Sequence, residues 1–330
     1  MSGPQKFHAM PVPRVGGICI FVGLLGALAT VYVVRGQDGR HGLMLLGCSL
    51  PTFLAGLAED LTKSQSPRRR LFFTAVSAAL AAWALGAVIR RTDIPGLDWI
   101  VSFGLLAVLV TIFTVAGIAN AVNIIDGFNG LASMCVVMML GAIAYVAFQA
   151  QDSLIAMCAL AGLGAVMGFF FWNFPAGLIF LGDGGAYFLG FYVAELSILL
   201  LQRNPAVSPL FPLLMCIYPV FETVFSIYRR KFVRGRAVGM PDGVHLHSLI
   251  YRRVMRWAVG NRTAKHLTQR NSMTSPYLWS LCMLAVVPSV LFWNNSMALG
   301  TFIVLFGGIY VYFYASIVRF KTPDWMIIRR

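Results

Sequence analysis

Residues 99–130 read WIVSFGLLAVLVTIFTVAGIANAVNIIDGFNG. The first part, 99 to 118, has no charged side chain and no apolar–polar alternation, and a block of about twenty apolar residues is what a helix needs to cross a bilayer. After Gly117 the character changes, and Asn120, Asn123, Asp126 and Asn129 follow at intervals of three. On a helix that spacing lines side chains along one face. Asn and Asp also serve in capped turns, through αL geometry and their own hydrogen bonds. Four in register, at the mouth of a membrane helix, are better suited to holding a polar ligand or a cation.

The same pattern recurs along the chain. Of 330 residues, 58% are hydrophobic and only 12% charged. Apolar blocks fall at roughly 15–34, 42–58, 71–89, 99–118, 131–149, 153–172, 185–201, 207–227, 277–293 and 298–318. Backbone in hydrocarbon must satisfy its own hydrogen bonds, and blocks this long without alternation select helices over barrel strands. The expected fold class is all-α: a polytopic membrane bundle of about ten transmembrane helices, one domain over residues 1–330. The six cysteines all sit inside apolar blocks without C-x-x-C spacing and read as small packing residues. The first block follows MSGPQKFHAMPVPR and shows no small-residue cleavage site, so it is expected to stay as a membrane helix.

The net charge of +14 is explained by topology. With the N-terminus inside, 21 of the 26 Lys and Arg fall on inside loops, and Arg35, Arg40, Arg90, Arg91 and Arg203 remain outside. The positive-inside rule then predicts both termini in the cytoplasm, and no nucleic acid is needed. The unusual residues fall on those same inside loops, including one long basic loop at 228–276, where Leu246, Leu249, Ile250, Val254, Met255 and Trp257 suggest a helix lying on the membrane surface.

Each inside loop carries a motif. In HAMPVPRVGGICIF (8–21), Pro11 and Pro13 stiffen the approach and Gly16-Gly17 admit a close backbone or a phosphate; a loosely started helix would look alike. GLAEDLTKSQSPRRR (56–70) sets Glu59 and Asp60 at a membrane boundary where carboxylates are costly, with Lys63, Arg68, Arg69 and Arg70 beyond; topological anchoring accounts for the arginines but less well for the acids. In FWNFPAGLIFLGDGGAYFLGF (171–191), Asp183 stands among glycines as an Asx turn or a metal ligand. Together with Asp60 and Asp126 it suggests a hard cation. Magnesium is typically held by one or two carboxylates plus water and substrate phosphates, which suits scattered aspartates. In YPVFETVFSIYRRKFVRGRAVGMPDGVHLHSLIYRRV (218–254), His245 and His247 among arginines such as Arg252 can clamp a diphosphate, and H-x-H lacks the further ligands zinc would need. The same basic segment can also sit on anionic headgroups. Glu195 and Glu222, inside apolar blocks, are functional candidates or neutral groups bonded between helices.

PVPRVGG, the acidic pair before SPRRR, NAVNIIDGFNGL, LGDGGA and PVFET…RR…PD…HLH, in that order, resemble the polyprenyl-phosphate N-acetylhexosamine-1-phosphate transferases, glycosyltransferase family 4. The likeness runs from about His8 to Arg253. It implies that a lipid phosphate attacks the sugar-bearing phosphorus of a UDP-sugar, giving a lipid-diphosphate sugar and UMP, with magnesium required, or manganese in its place. Carried over residue by residue, Asp183 would ligate the metal with Asn123, and Asp60 and Asp126 would be the carboxylates on which turnover depends, with Glu59 beside them. Asn129, Asn173 and Phe180 look like nucleoside contacts. His245, His247 and nearby arginines look like diphosphate and sugar contacts, with Asn120, Lys63 and Arg252 as further substrate-binding positions.

Three departures stand out. Many relatives have Asp-Asp where this chain has Glu59-Asp60, many have Asp at the position of Asn129, and relatives often carry one more helix before the PVPRVGG loop, which would make eleven with an external N-terminus. The expected protein is a bacterial inner-membrane enzyme with a cytoplasmic active site that loads a HexNAc 1-phosphate, such as that of UDP-N-acetylglucosamine, onto undecaprenyl phosphate to start an envelope polysaccharide. Its expected partners are polyprenyl phosphate, UDP-HexNAc, the membrane and a second copy in a homodimer. Phospho-N-acetylmuramoyl-pentapeptide transferase fits less well, because its relatives have three consecutive histidines where HLHS stands. A transporter or flippase would set its binding residues near the midplane, and an inactive scaffold would not need Asp60, Asp126, Asp183, His245 and His247.

Overall fold

Helix formation answers the apolar blocks, since no water is available in hydrocarbon to take up backbone hydrogen bonds. The structure is a computed structural model that describes residues 12–233, 245–255 and 264–319. Its helices are α1 (Gly16–Arg35), α2 (Gln37–Cys48), α3 (Leu50–Thr62), α4 (Pro67–Ala84), α5 (Leu97–Val101), α6 (Gly104–Ile125), α7 (Leu131–Gln149), α8 (Ser153–Asn173), α9 (Gly182–Arg203), α10 (Leu210–Met215), α11 (Ile217–Tyr228), α12 (Leu246–Leu249), α13 (Ala264–Leu291) and α14 (Ser296–Val318). One π turn continues α11 over Arg229–Val233 and another continues α12 over Ile250–Val254. The chain is thus an all-helical, multi-pass membrane bundle.

Each of the ten apolar blocks has a helical counterpart, but not all are simple spans. Among the described residues seven helices are long and apolar enough to cross a membrane, and Gly39–Cys48 with Leu50–Thr62, bent by 46°, makes eight if the pair is counted as one broken span. The break falls at Ser49, two residues before Pro51, whose missing N–H cannot continue the α2 ladder. The 207–227 block is likewise split at Cys216 into α10 and α11. The 71–89 block stops as helix at Ala84, two residues before Gly86, which has a left-handed φ of 67°.

Two expectations are corrected. The 228–276 segment is not one loop: α13 begins at Ala264 and runs through Pro276. Its polar first part is helical because Asn271, Ser272 and Ser275 find partners in the bundle, as described below. The segment around His245 does not lie on the surface either. Leu246, Leu249, Ile250, Val254 and Met255 are all buried, so its apolar positions face protein; Trp257 lies outside the described residues.

Burial identifies the centre. In the most apolar stretch of α9, 89% of residues are buried inside the bundle, against 22% in α1 and in α14, whose outer faces are left for lipid. Close approach to α9 depends on small residues, the usual device where both helices are equally at home in lipid. A Cβ on Gly17 would lie 2.5 Å from Gly185 N, and one on Gly56 would lie 2.6 Å from Gly184 Cα. The start of α1 is tied to the strand-like approach to α9: Gly16 N and Gly17 N donate to Phe180 O and Leu181 O at 3.0 Å, and Phe180 N donates to Pro13 O at 2.9 Å. These bonds satisfy helix-start donors that have no partner within α1 and bring PVPRVGG against LGDGG.

Candidate active site

Helix ends meet on one face of the bundle. The end of α3 brings Asp60, whose Oδ2 accepts from Gly184 N at 2.9 Å in the first turn of α9. A Cβ on Gly182 would come within 2.5 Å of that same oxygen, and Gly182 has φ of 77°, so glycine is required there on two counts. The start of α4 brings Arg70, whose guanidinium pairs with Asp183 Oδ2 and lies 5.5 Å from the centre of the Tyr187 ring. The end of α6 brings Asn123, whose Nδ2 donates to Asp183 Oδ1 at 2.9 Å. One turn earlier, Asn120 accepts from Tyr187 OH at 3.2 Å. Asp183 itself sits in the first turn of α9, where the helix dipole favours a carboxylate.

Asp126 caps the C-terminal end of α6. Burial, with the charges of Asp183 and Asp60 adding to it against the pull of Arg14, pushes its pKa up to about 8. Lys63 Nζ stands 4.0 Å from Asp60 Oδ1, and that buried oxygen accepts no hydrogen bond. Glu59 turns elsewhere: its Oε2 accepts from Gln65 N at 2.7 Å and closes the turn after α3.

Beside this cluster lies the histidine pair. His245 and His247 stack with ring centres 5.1 Å apart and planes 14° from parallel. His247 meets the edge of Phe128 at 5.4 Å, and its Nε2 is 3.5 Å from where a Cβ on Gly127 would stand. The motif after α6 and the HLH motif thus touch. Arg252 is exposed on the π turn after α12, while Arg253 Nη1 donates to Ile317 O and Val318 O at the end of α14. Arg234 and Arg236 lie outside the described residues.

The third group is a brace. Because α6 ends at Ile125, Asn129 does not share the helical face of Asn120 and Asn123, which corrects the reading of four residues in one row. Asn129 is 1% exposed; its N–H donates to Asn271 Oδ1 at 2.8 Å, and its Nδ2 donates to Pro175 O and Ser272 Oγ at 3.2 Å. Ser275 Oγ donates to Asn129 O at 2.6 Å. Asn173 accepts from Gly130 N at 2.6 Å and donates to Ile179 O at 2.8 Å, joining the α6–α7 turn to the segment that ends in Phe180. Both side chains hold loops in place through protein partners.

Among the described residues no three His, Cys, Asp or Glu side chains converge to hold a metal by themselves. The donors present nevertheless fit a hard cation that arrives with phosphate: they are carboxylate and amide oxygens, one of them, Asp60 Oδ1, buried and without a hydrogen bond.

Comparison with known proteins follows the same residues. Residues 42–201 match the profile of the family described as "Glycosyl transferase family 4". The chain is 30% identical over 267 residues to the undecaprenyl-phosphate alpha-N-acetylglucosaminyl 1-phosphate transferase of Thermotoga maritima, covering 77% of this chain and 72% of that protein. The chain belongs to glycosyl transferase family 4. A Bacillus subtilis protein named "Probable undecaprenyl-phosphate N-acetylglucosaminyl 1-phosphate transferase" is 27% identical, over 74% of this chain and 66% of its own length. The phospho-N-acetylmuramoyl-pentapeptide-transferase of Geobacillus kaustophilus is 30% identical, over 60% of this chain and 64% of its own. The chain thus spans about two thirds of the length of these relatives.

Sequence reading missed several members of this family 4 site. Topology alone accounts for Arg70 in the sequence, yet its guanidinium reaches Asp183. Asn271, Ser272 and Ser275 were assigned to a loop; their i, i+4 relation to Thr268 and Asn271 was the available sign of a helix face. Glu222, in the sequence a functional candidate or a neutral group bonded between helices, is a partner of His245.

Proposed function

We propose that the chain transfers a HexNAc 1-phosphate from a UDP-sugar to polyprenyl phosphate, releasing UMP. The supporting observation is the union of Asp60, Asn123, Asp126 and Asp183 at helix ends beside the His245–His247 pair, in a bundle whose relatives carry the names of such transferases. In the reaction an oxygen of the lipid phosphate forms a bond to the sugar-bearing phosphorus, and the bond from that phosphorus to the oxygen of UMP breaks. Asp183, with the amide of Asn123, would hold Mg2+, or Mn2+, and the ion supplies neutralising charge on the diphosphate. With Asp183 engaged by a cation, Arg70, which pairs with Asp183 here, would be available to an anionic substrate oxygen.

Asp60 is fixed by Gly184 N in the first turn of α9, next to Asp183, and from there would orient the lipid phosphate. A phosphate monoester is already ionised near neutrality, so positioning and charge neutralisation carry most of the rate. His245 and His247 approach the diphosphate from the Gly127 side. The excess of Lys and Arg on loops of the site face supports a bacterial inner membrane with this face in the cytoplasm.

The test is UMP release by purified chain in detergent with undecaprenyl phosphate, Mg2+ and UDP-N-acetylglucosamine, other UDP-HexNAc donors or the UDP-MurNAc-pentapeptide. Release that needs lipid, metal and Asp183, and is lost in Asp183→Ala, supports the reading and ranks the donors. Folded protein that releases no UMP with any of them overturns it.

A further inference from the structure

Glu222 is a carboxylate on α11 and only 1% exposed, a place where an acid is costly unless donors surround it. Three donors do. Tyr310 OH on α14 donates to Oε2 at 2.7 Å, Leu246 N donates to Oε1 at 3.1 Å, and His245 Nδ1 is 3.0 Å from Oε1. An ionised carboxylate only accepts, so Nδ1 is the nitrogen that carries the proton in this contact, and the ring turns its Nε2 edge away from Glu222. His247 stacks on that ring and lies against Gly127, next to Asp126. A single buried acid therefore sets the tautomer of one histidine and the plane of both, and it does so from outside the acidic cluster.

We propose that Glu222 is the positioning residue of the histidine pair: held by Tyr310, its carboxylate fixes His245 in the Nδ1–H form and, through the stack, aligns both imidazoles on the phosphate groups of the nucleotide-sugar. This rests on the transferase reading given above. The arrangement follows the general logic in which a carboxylate behind a histidine fixes the orientation of the ring. An imidazolium carries a proton on both nitrogens and is the form that donates to a phosphate oxygen. Glu222 touches neither substrate nor metal in this scheme and acts only through His245.

The experiment uses the full chain with its histidine rings labelled with 15N, beside Glu222→Gln, with His245→Gln to assign the signal. Glutamine keeps the size and can still accept from Leu246 N, but it lacks the charge. In the wild-type chain at fixed pH, His245 should show a protonated Nδ1 bonded to a carboxylate, a signal that shifts in Glu222→Gln, where the acceptor is a neutral amide. The same variant should lose about tenfold or more in kcat/KM for the UDP-sugar, the usual cost of removing the group behind a functional histidine, while the KM for polyprenyl phosphate stays within about twofold of wild type. A folded Glu222→Gln with an unchanged His245 signal, or with wild-type kcat/KM for the donor, overturns the proposal. If that variant does not fold, Tyr310→Phe weakens the same carboxylate's hold and is judged by the same two readings. If even the wild-type chain transfers nothing, the transferase reading fails, and the ring-nitrogen signal alone decides whether Glu222 sets the histidine.

Discussion

Asp60 Oδ2 and Gly184 N, 124 positions apart in sequence, are joined by a hydrogen bond of 2.9 Å that fastens the end of α3 to the first turn of α9. The bond lets Asp60 and Asp183 share one space although no single motif contains both. It depends on the absence of side chains: a Cβ on Gly184 would lie 2.9 Å from Leu57 N, and one on Gly56 would lie 2.6 Å from Gly184 Cα.

Gly56→Ala should therefore force α3 and α9 apart. The clash is with backbone, which cannot rotate out of the way, and overpacking of this kind costs about 1–3 kcal/mol. Thermal unfolding in detergent should show a lower midpoint, together with a loss of UMP release larger than the stability change explains. Wild-type stability and turnover in this variant would mean that the contact of α3 with α9 is looser than described.

Asp60→Asn separates charge from shape. The amide oxygen can still accept from Gly184 N, so the fold should stand, while the carboxylate oxygen that lacks a hydrogen bond loses its charge. Turnover should fall by about 10²-fold or more, the scale of losing one preorganised polar group of an active site, and the Mg2+ concentration for half-maximal rate should rise. Chelation with EDTA should abolish wild-type release, and added Mg2+ should restore it. Turnover that survives chelation would remove the cation from the scheme.

On the opposite face, Asp152 accepts from Arg203 Nε at 2.6 Å and Asn204 Nδ2 at 2.9 Å and caps the start of α8 through Ile155 N. Burial alone would raise its pKa, but these bonds win and hold it below the ordinary 3.8. A carboxylate whose folded pKa is depressed adds stability above its unfolded pKa, and that stability is lost as pH falls through the folded value. The unfolding midpoint of the wild-type chain should thus drop as the buffer is taken from pH 5 to below the ordinary 3.8. Asp152→Asn keeps a good cap and should be less stable at neutrality yet flatter over the acid range; equal acid sensitivity in both proteins would rule out Asp152 as the source.

Much of this was legible in the sequence, and the exceptions share a cause. Helices followed from apolar blocks because membrane burial leaves no other way to bond the backbone. Asp60, Asn123, Asp126 and Asp183 could be grouped because loop charge put them on one face. Contacts between helices left no comparable trace. The positive-inside rule already accounts for Arg70, so its charge carries no separate sign of a site, and the first part of α13 is polar because it faces the α6–α7 turn, a composition that hydropathy does not distinguish from a loop. Glu222 and His245 are 23 positions apart, across an intervening stretch rich in Arg and Gly, and only the fold brings α11 behind the histidines.

The brace from α13 gives the last prediction. Asn129 N–H is buried and donates to Asn271 Oδ1, so Asn271→Ala leaves it unpaired at a cost of about 1–3 kcal/mol. The loss should reach the site as well, because the turn that holds Asn129 also carries Asp126 and Gly127, against which His247 rests. Asn271→Asp is the informative companion: its carboxylate still accepts the N–H, so stability should return toward wild type. If the turn's position is what matters for transfer, UMP release should return with it. Stability restored without activity would instead assign the neutral amide of Asn271 a direct part in the reaction, and activity untouched in Asn271→Ala would show that the α6–α7 turn holds its shape without α13.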